Sequence, residues 1–299
     1  LRNSSAASDV YKRQEIKISI RIFLDMEYQE ILYDTSDGVA TITINRPDTL
    51  NALTSLTQAE IRHALFISDT TEEVVGTVIP GSGRGFCSGV DMKSLGKISD
   101  DGKRTEETFE HLEVGFESEN KNFEGSPAYF LALKKPLIAA INGACAGLGF
   151  SYATFCDMRF MDEKAKLITS FSPRGLIAEH GTSWMLPRII GPSNALDLMW
   201  SSRRVDANEA YRIGYANRIS KNGEALKDAQ DFVKSFSKTV APYSLMMMKR
   251  QVYQHLNKEL GIANIESTSW MDESLKREDF KEGINSFLEK RLPNFKKIK

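Results

Sequence analysis

Cysteine is scarce in this sequence. Only Cys87, Cys145 and Cys156 occur among 299 residues, and no two of them have the C-x-x-C spacing. An odd number of cysteines without that spacing argues against a disulfide framework and against a thiolate-based zinc site. The sequence therefore predicts a protein of a reducing compartment, the cytoplasm, with no metal centre.

The sequence also lacks an excess of charge of either sign. It contains 39 Lys and Arg residues against 40 Asp and Glu residues, which gives a formal net charge of -1. No overall field therefore attracts nucleic acid or an anionic membrane, and any site for anions has to be local. We expect neither nucleic acid nor a membrane as a partner.

Long hydrophobic runs are missing as well. The longest uncharged stretch covers residues 136–156, which is about the length that crosses a bilayer. Because it contains a proline, an asparagine and several glycines, it predicts a buried strand, a glycine turn and a buried helix start instead of a membrane span.

The glycine motifs of nucleotide-binding proteins are absent too. Two glycine-rich turns, residues 81–89 and 142–149, each follow an apolar strand, but neither matches G-x-G-x-x-G or G-x-x-x-x-G-K-[ST]. Glycine lets the backbone approach a ligand closely, and a helix start presents unpaired N–H groups to developing negative charge. Each turn is therefore a candidate oxyanion site, with an ordinary tight turn as the alternative.

Strand-like and helix-like patterns alternate through most of the chain. Predicted strands cover residues 28–34, 39–44, 74–80, 137–141 and 157–161, and predicted helices cover 54–69 and most of 105–133. Strands that recur between helices predict an α/β core with a parallel sheet and crossover connections. Further on, only helices are predicted, at residues 224–239, 243–255, 262–270 and 277–290.

These patterns divide the chain into three parts. Residues 1–25 lack the apolar segment and the cleavage site of a signal peptide, so we expect a non-native or disordered leader there. The α/β core is predicted over residues 26–222, and a helical region over residues 223–299.

Five blocks of residues carry a resemblance to a known family. They are Asn45-Arg46-Pro47 with Asn51-Ala52-Leu53, Gly85 to Asp91, Lys135 to Gly143, Cys156 to Arg159, and Asp279 to Phe295. From Met26 to its C-terminus the chain resembles the crotonase superfamily, the enoyl-CoA hydratases and isomerases. The resemblance implies a spiral of ββα units with a C-terminal helical trimerisation region, assembled as a homotrimer or a dimer of trimers. It also implies acyl-CoA thioester substrates, and no cofactor beyond the coenzyme A that the substrate carries.

The resemblance gives both glycine turns a role. It implies that the backbone N–H groups of Val90 and Leu148 hold the thioester oxygen as this oxygen becomes an enolate. The substrate-binding residues that it implies beside these donors are Ser88, Gly89, Asp91, Gly147 and Gly149.

Coenzyme A carries phosphates, so cations are expected near its binding site. Arg84 and Lys93 flank the first turn, and Arg46 precedes the Pro47 loop. In relatives, a lysine that matches Lys290 reaches the coenzyme A of a neighbouring subunit. All four are candidate phosphate contacts, and solvated surface charges are the alternative.

The sequence departs from the hydratases at their two catalytic glutamates. The matching positions hold Ser151 and Phe171, and neither side chain can act as a carboxylate base. Glu179, in Leu176-Ile177-Ala178-Glu179, matches the catalytic glutamate of peroxisomal-type Δ3,Δ2-enoyl-CoA isomerases. The resemblance therefore implies an isomerase in which Glu179 moves a proton from C2 to C4, while Phe171 helps to keep water out.

Several alternatives stay open at this point. Glu179 could be a surface charge before a helix, and the adjacent His180 could orient it or point elsewhere. The enzyme could catalyse another reaction of the family, such as hydration or dienoyl isomerisation, or could bind acyl-CoA without turning it over. Gly149-Phe150-Ser151-Tyr152-Ala153 nearly matches the G-x-S-x-G elbow of serine hydrolases, with His255 downstream.

Overall fold

The computed structural model describes residues 27–103, 107–114 and 123–298. The leader predicted over residues 1–25 lies outside these residues. Within them the strands are β1 (Ile31–Ser36), β2 (Val39–Ile44), β3 (Gly76–Pro80), β4 (Gly85–Cys87), β5 (Leu137–Ile141), β6 (Ala144–Ala146), β7 (Met158–Asp162), β8 (Lys166–Ile168), β9 (Val205–Asp206) and β10 (Arg218–Ser220). The α-helices are α1 (Ser55–Thr70), α2 (Met92–Asp101), α3 (Leu148–Phe155), α4 (Thr182–Ile190), α5 (Pro192–Ser201), α6 (Ala207–Arg212), α7 (Ala225–Thr239), α8 (Pro242–His255), α9 (Leu260–Leu275) and α10 (Glu278–Leu288).

The larger sheet has the strand order β1-β2-β3-β5-β7-β10. Its first two strands form an antiparallel hairpin, and the turn between them has positive φ angles at Asp37 and Gly38, as tight hairpin turns require. The other neighbours pair in parallel. The predicted parallel sheet is confirmed, and the predicted strands differ from the observed ones only at their ends.

The central strands of this sheet are buried on both faces. Every residue of β3 and β5 is buried. Along β5, Leu137 and Ala139 face the main core, whereas Ile138 and Ala140 pack in a second cluster with residues of α7. The alternation follows from the two-residue period of a strand, and it shows that α7 covers the back of the sheet.

A second, smaller sheet has the strand order β4-β6-β8-β9. Its strands β4, β6 and β8 each follow a strand of the larger sheet after a short turn, so successive passes of the chain add one strand to each sheet. Helices α2 and α3 follow two of these strand pairs. This repeated ββα unit is the spiral that the family resemblance implied, and it places the two glycine turns side by side.

The helix predicted over residues 105–133 is wrong where the structure describes this stretch. Residues 107–114 and 123–133 contain two short 3-10 helices, Glu110–Leu112 and Ala128–Ala132, joined to irregular segments. Gly125 has a φ of 91° and Pro127 follows closely, so a regular helix cannot pass through them. The many charged residues of this segment suggested a solvated helix face. In the structure, single buried side chains such as Phe123 and Phe130 anchor the segment in the core.

Helices alone follow β10, as the sequence predicted. Helices α7 to α10 match the predicted helices, with α9 extended at both ends. The division of the chain at residues 222 and 223 stays a prediction, because α7 packs directly on the sheet of the core. Within the described ranges, no helix combines the length and apolar character that a bilayer crossing requires.

Candidate active site

Two asparagine side chains hold the first glycine turn. Asn142 accepts the Gly81 N–H at 3.0 Å, and the Asn51 amide donates to the carbonyls of Ser82 and Gly85, both at 2.8 Å. A Cβ atom on Gly81 would lie 2.2 Å from the Phe86 carbonyl oxygen. The turn therefore needs glycine for its close packing, and the asparagines fix its shape.

The Val90 N–H points away from the segment that supports it. The Leu53 N–H donates to the Gly89 carbonyl at 2.8 Å, and the Asp91 N–H donates to the Leu53 carbonyl at 2.9 Å. The Gly89 carbonyl and the Val90 N–H belong to one trans peptide group and point in opposite directions, so the N–H of Val90 faces away from Leu53. Among the described residues, it has no protein acceptor.

The Leu148 N–H is the first of helix α3. Gly147 caps this helix with φ 52° and ψ -123°, a conformation that suits glycine. The first intrahelical bond runs from the Ser151 N–H to the Gly147 carbonyl at 3.1 Å, and the N–H groups of the first turn have no partner within the helix. The N–H of Leu148 accordingly lacks an acceptor in the part of the chain that the structure describes.

The two turns touch at their glycines. A Cβ atom on Gly89 would lie 3.6 Å from the backbone nitrogen of Leu148, and one on Gly147 would lie 3.6 Å from the Gly89 Cα. The structure thus brings the two predicted donor segments together. Both side chains are apolar, with that of Leu148 buried and that of Val90 half-buried. The polar groups of these two residues are therefore those of the backbone.

Gly149 serves the packing of helix α3. A Cβ atom there would lie 2.5 Å from the Cys87 Sγ and 2.7 Å from the Cys87 carbonyl oxygen. Helix α3 can therefore lie directly on β4 only with glycine at this position. Burial raises the pKa of the Cys87 thiol to about 12, so this cysteine stays protonated and is no nucleophile.

Asp91 anchors the segment that carries Val90. Its carboxylate caps α2 by accepting the Lys93 N–H at 2.9 Å, and it pairs with Arg46 at 3.1 Å. Burial acts to raise the pKa of Asp91, but the Lys93 N–H and the Arg46 guanidinium together hold it below its usual value. Arg46 also pairs with Glu30 at 3.0 Å. In this structure Arg46 therefore stabilises the turn through ion pairs within the chain.

The other predicted binding residues lie in less constrained places. Ser88 donates its hydroxyl to the Thr49 carbonyl at 3.0 Å. Arg84 and Lys93 are exposed on either side of the first turn, and Lys290 is exposed after α10. The three cations form no ion pair with the described residues, and their contact with phosphate stays a prediction.

Glu179 lies on the loop before helix α4, not in the helix. Its carbonyl accepts the Thr182 N–H at 3.0 Å. His180 and Gly181 follow with positive φ angles of 55° and 72°, and a Cβ atom on Gly181 would lie 2.9 Å from the Phe155 ring. The Glu179 side chain is 19% exposed, and its Oε2 lies 3.6 Å from the Nε2 of His180. A freely solvated glutamate at a helix start does not fit this environment.

Helix α3 also holds the Glu179 loop. The hydroxyl of Ser151 lies 2.8 Å from that of Thr182, and both side chains are fully buried. Ser151 therefore occupies a structural position, and the serine-hydrolase interpretation is wrong. His255, its supposed partner, pairs with Glu266 at 3.2 Å.

Phe171 is buried and begins the 3-10 helix Ser172–Arg174. Its carbonyl accepts the N–H groups of Arg174 and Leu176 at 3.0 and 3.1 Å, while its ring is almost inaccessible to solvent. The position that the family resemblance matches to a hydratase glutamate therefore holds a buried apolar side chain. Whether substrate contacts it stays a prediction.

Sequence patterns alone missed the residues that support this site. Asn51, Ser126 and Thr182 act through hydrogen bonds to segments far away in the chain. Of these three residues, Asn51 alone belongs to one of the five sequence blocks, and this is the signal that could have identified it. Across residues 27–103, 107–114 and 123–298, no group of three His, Cys, Asp or Glu side chains could hold a metal ion.

Comparisons with known proteins agree on one family. The family described as enoyl-CoA hydratase/isomerase matches residues 34–298. The Arabidopsis thaliana protein named probable enoyl-CoA hydratase 1, peroxisomal, is 31% identical over 229 residues, which cover 76% of this chain and 80% of that protein. Enoyl-CoA delta isomerase 3, peroxisomal, of Mus musculus is 28% identical over 262 residues, which cover 88% of this chain and 79% of that protein.

Solved structures show the same fold. The crystal structure of an enoyl-CoA hydratase/isomerase from Mycobacterium paratuberculosis superimposes with a TM-score of 0.78 at 30% identity. The superposition covers 90% of this chain and 99% of that one.

Proposed function

The chain belongs to the enoyl-CoA hydratase/isomerase family, and we propose that it is a Δ3,Δ2-enoyl-CoA isomerase. The family acts on acyl-CoA thioesters, and relatives carry the names of both hydratases and isomerases. The observation that carries the choice is the set of groups around helix α3. The two hydratase positions hold a buried, hydrogen-bonded Ser151 and a buried Phe171, whereas the carboxylate of Glu179 is half-buried on the loop tied to that helix.

The first step is the removal of a proton from C2 of a 3-enoyl thioester. The Glu179 carboxylate takes the proton, and the electron pair of the C–H bond forms a double bond between C1 and C2. Negative charge then moves to the thioester oxygen, where the N–H groups of Val90 and Leu148 donate to it. Each donor of this kind contributes about 2.7–4 kcal/mol to stabilising the transition state.

The second step returns the same proton at C4. The C1 carbonyl re-forms, a double bond appears between C2 and C3, and the electrons of the original C3–C4 double bond take the proton from Glu179. The product has the mass of the substrate, because the proton lost at C2 is regained at C4. A single carboxylate serves as both base and acid, and coenzyme A is part of the substrate.

Hydration is the second candidate, because a relative at 31% identity is named as a hydratase. In that case Glu179 alone would place and activate a water molecule, and the product would be heavier by one water. The buried ring of Phe171 at the second glutamate position disfavours this outcome, since it offers a water molecule no acceptor.

The test uses trans-3-enoyl-CoA of medium chain length as substrate. We expect a conjugated 2-enoyl-CoA of unchanged mass, detected by mass spectrometry and absorbance. Glu179→Gln should lower kcat about 1,000-fold or more, since general acid–base groups typically contribute about 100- to 10,000-fold. Glu163→Gln, at an exposed turn between β7 and β8, is the matched control and should keep wild-type activity.

Two other outcomes contradict the isomerase assignment. Conversion of trans-2-enoyl-CoA to a product heavier by one water, with no reaction of the 3-enoyl substrate, identifies a hydratase, because water adds only to the double bond that is conjugated with the thioester. Binding of both thioesters without turnover of either identifies a binding protein.

We also propose that the chain assembles as a homotrimer or a dimer of trimers. The C-terminal helices leave large apolar side chains uncovered, among them Leu260 and Phe287, which are 85% and 81% exposed. An apolar surface of this extent is typical of a protein interface. Phosphate contacts of Arg84 and Lys93, and a contact of Lys290 with a neighbouring subunit's substrate, belong to the same proposal.

A further inference from the structure

The ring of His180 lies between the Glu179 carboxylate and a backbone carbonyl. Its Nδ1 is 3.3 Å from the Ser126 carbonyl oxygen, and its Nε2 is 3.6 Å from the Glu179 Oε2. The His180 side chain is 13% exposed. The ring is therefore held from one side and faces the carboxylate with the other.

The carbonyl fixes which nitrogen carries a hydrogen. A carbonyl oxygen can only accept, so the Nδ1 of His180 donates to Ser126. This contact sets the orientation of the imidazole and turns Nε2 toward the carboxylate. The carboxylate can also only accept, so Nε2 attracts it when the ring is an imidazolium with a hydrogen on both nitrogens. The separation of 3.6 Å is an ion-pair distance instead of a close hydrogen bond.

Ser126 is itself held by helix α3. Its hydroxyl lies 2.8 Å from the hydroxyl of Tyr152, whose buried ring packs edge-on against Phe130. The residue before Tyr152 in the helix is Ser151, which bonds Thr182 on the other side of the Glu179 loop. Two sets of hydrogen bonds therefore connect the helix that begins at Leu148 with the loop that carries Glu179.

The backbone of His180 is also specialised. Its φ of 55° lies in the left-handed region, which most residues with a side chain avoid and which Asn, Asp and His adopt more readily than others. A half-buried histidine with no further role would explain the contact to Ser126. It would not explain why the second nitrogen faces the carboxylate.

We propose that His180 is a positioning residue that fixes the Glu179 carboxylate relative to the Leu148 N–H, with Ser126 and Tyr152 as its support. The proposal rests on the isomerase function proposed above. A displacement of a catalytic group by about 1 Å can cost about 100-fold in rate. The expected effect therefore falls on the chemical step and not on substrate binding.

His180→Asn tests this role with little disturbance of the fold. Asparagine accepts the left-handed backbone, and its amide can donate to Ser126 as Nδ1 does, but it has no atom at the place of Nε2. We expect kcat to fall at least about tenfold with KM and the melting temperature unchanged. The primary isotope effect with substrate deuterated at C2 should increase, because proton removal becomes more rate-limiting.

Two further variants complete the experiment. His180→Gln can bring an amide N–H near the place of Nε2, and it should recover part of the lost kcat. His255→Asn is the matched control, because His255 also faces a carboxylate, that of Glu266 at 3.2 Å, within the C-terminal helices. It should leave kcat and the isotope effect at their wild-type values.

The outcomes separate the two proposals. If His180→Asn has the wild-type kcat and isotope effect, the positioning role is overturned. The role is equally overturned if a lower kcat is accompanied by a changed KM and a lower melting temperature. Failure of the wild-type protein to isomerise 3-enoyl-CoA would instead overturn the function, and the positioning role would fall with it.

Discussion

Helices α3 and α9 are both rich in apolar residues, but their surroundings are opposite. All eight residues of α3 are buried, whereas no residue of α9 is buried by its own chain. Helix α3 packs against β4 and β6 of the smaller sheet and carries the Leu148 N–H. The difference shows that the core of a single chain positions the candidate site. The apolar residues of α9, such as Ile265, remain exposed and can pack against another protein surface.

Among variants of these two helices, the largest expected effect comes from the first residue of α3. Leu148→Pro removes the proposed oxyanion donor, yet proline is well tolerated at the first position of a helix. We expect kcat to fall about 100- to 1,000-fold, as for other lost oxyanion donors. Leu148→Ala keeps the N–H and should retain substantial activity in the same assay. Equal activity of the two variants would contradict the role of this N–H.

The second test compares a glycine in each helix. Gly149→Ala forces a Cβ atom against Cys87, and overpacking of this kind costs about 1–3 kcal/mol or more of unfolding free energy. Gly261 in α9 has open space around it, so Gly261→Ala should stabilise the protein by about 0.5–1 kcal/mol. Thermal unfolding of both variants measures the contrast. If Gly149→Ala is as stable as the wild type, the close packing of α3 on β4 is wrong.

The smallest effect on the fold is expected at the exposed face of α9. Ile265 is 72% exposed, so Ile265→Asp should leave the secondary structure unchanged but reduce the mass measured by light scattering. Leu32→Asp, at an exposed apolar position on β1, is the control and should keep the wild-type mass. A wild-type mass of one chain, 33.6 kDa, would contradict the proposed assembly.

Local patterns predicted most of the secondary structure. The strand Leu137–Ile141 has the predicted bounds, and the helices after residue 223 occur where the apolar spacing placed them. The helix prediction for 105–133 failed in residues 107–114 and 123–133, because the charges suggested a helix while Gly125 and Pro127 are incompatible with one. Contacts with the core, which no local pattern reports, decide the course of that segment.

The candidate site was predictable to the extent that it follows recognised blocks. The two turns with Val90 and Leu148 were identified and lie together, and Glu179 was singled out by its position. The roles of Asp91 and Gly149 were not foreseen, because an N-cap paired with Arg46 and a close helix contact depend on residues elsewhere in the chain.

The sequence by itself determined strands β1, β2, β3, β5 and β7, the C-terminal helices and the glycines of the two turns. Through the family resemblance, it also implied that Ser151 and Phe171 replace the hydratase glutamates. Periodicity and backbone freedom act over a few residues, so they can be recognised locally. Only the tertiary structure decided how the Glu179 loop is held. Ser151 and Thr182 are 31 residues apart, and Ser126 and His180 are 54 apart. Hydrogen bonds over such separations form only when the sheets have brought the segments together.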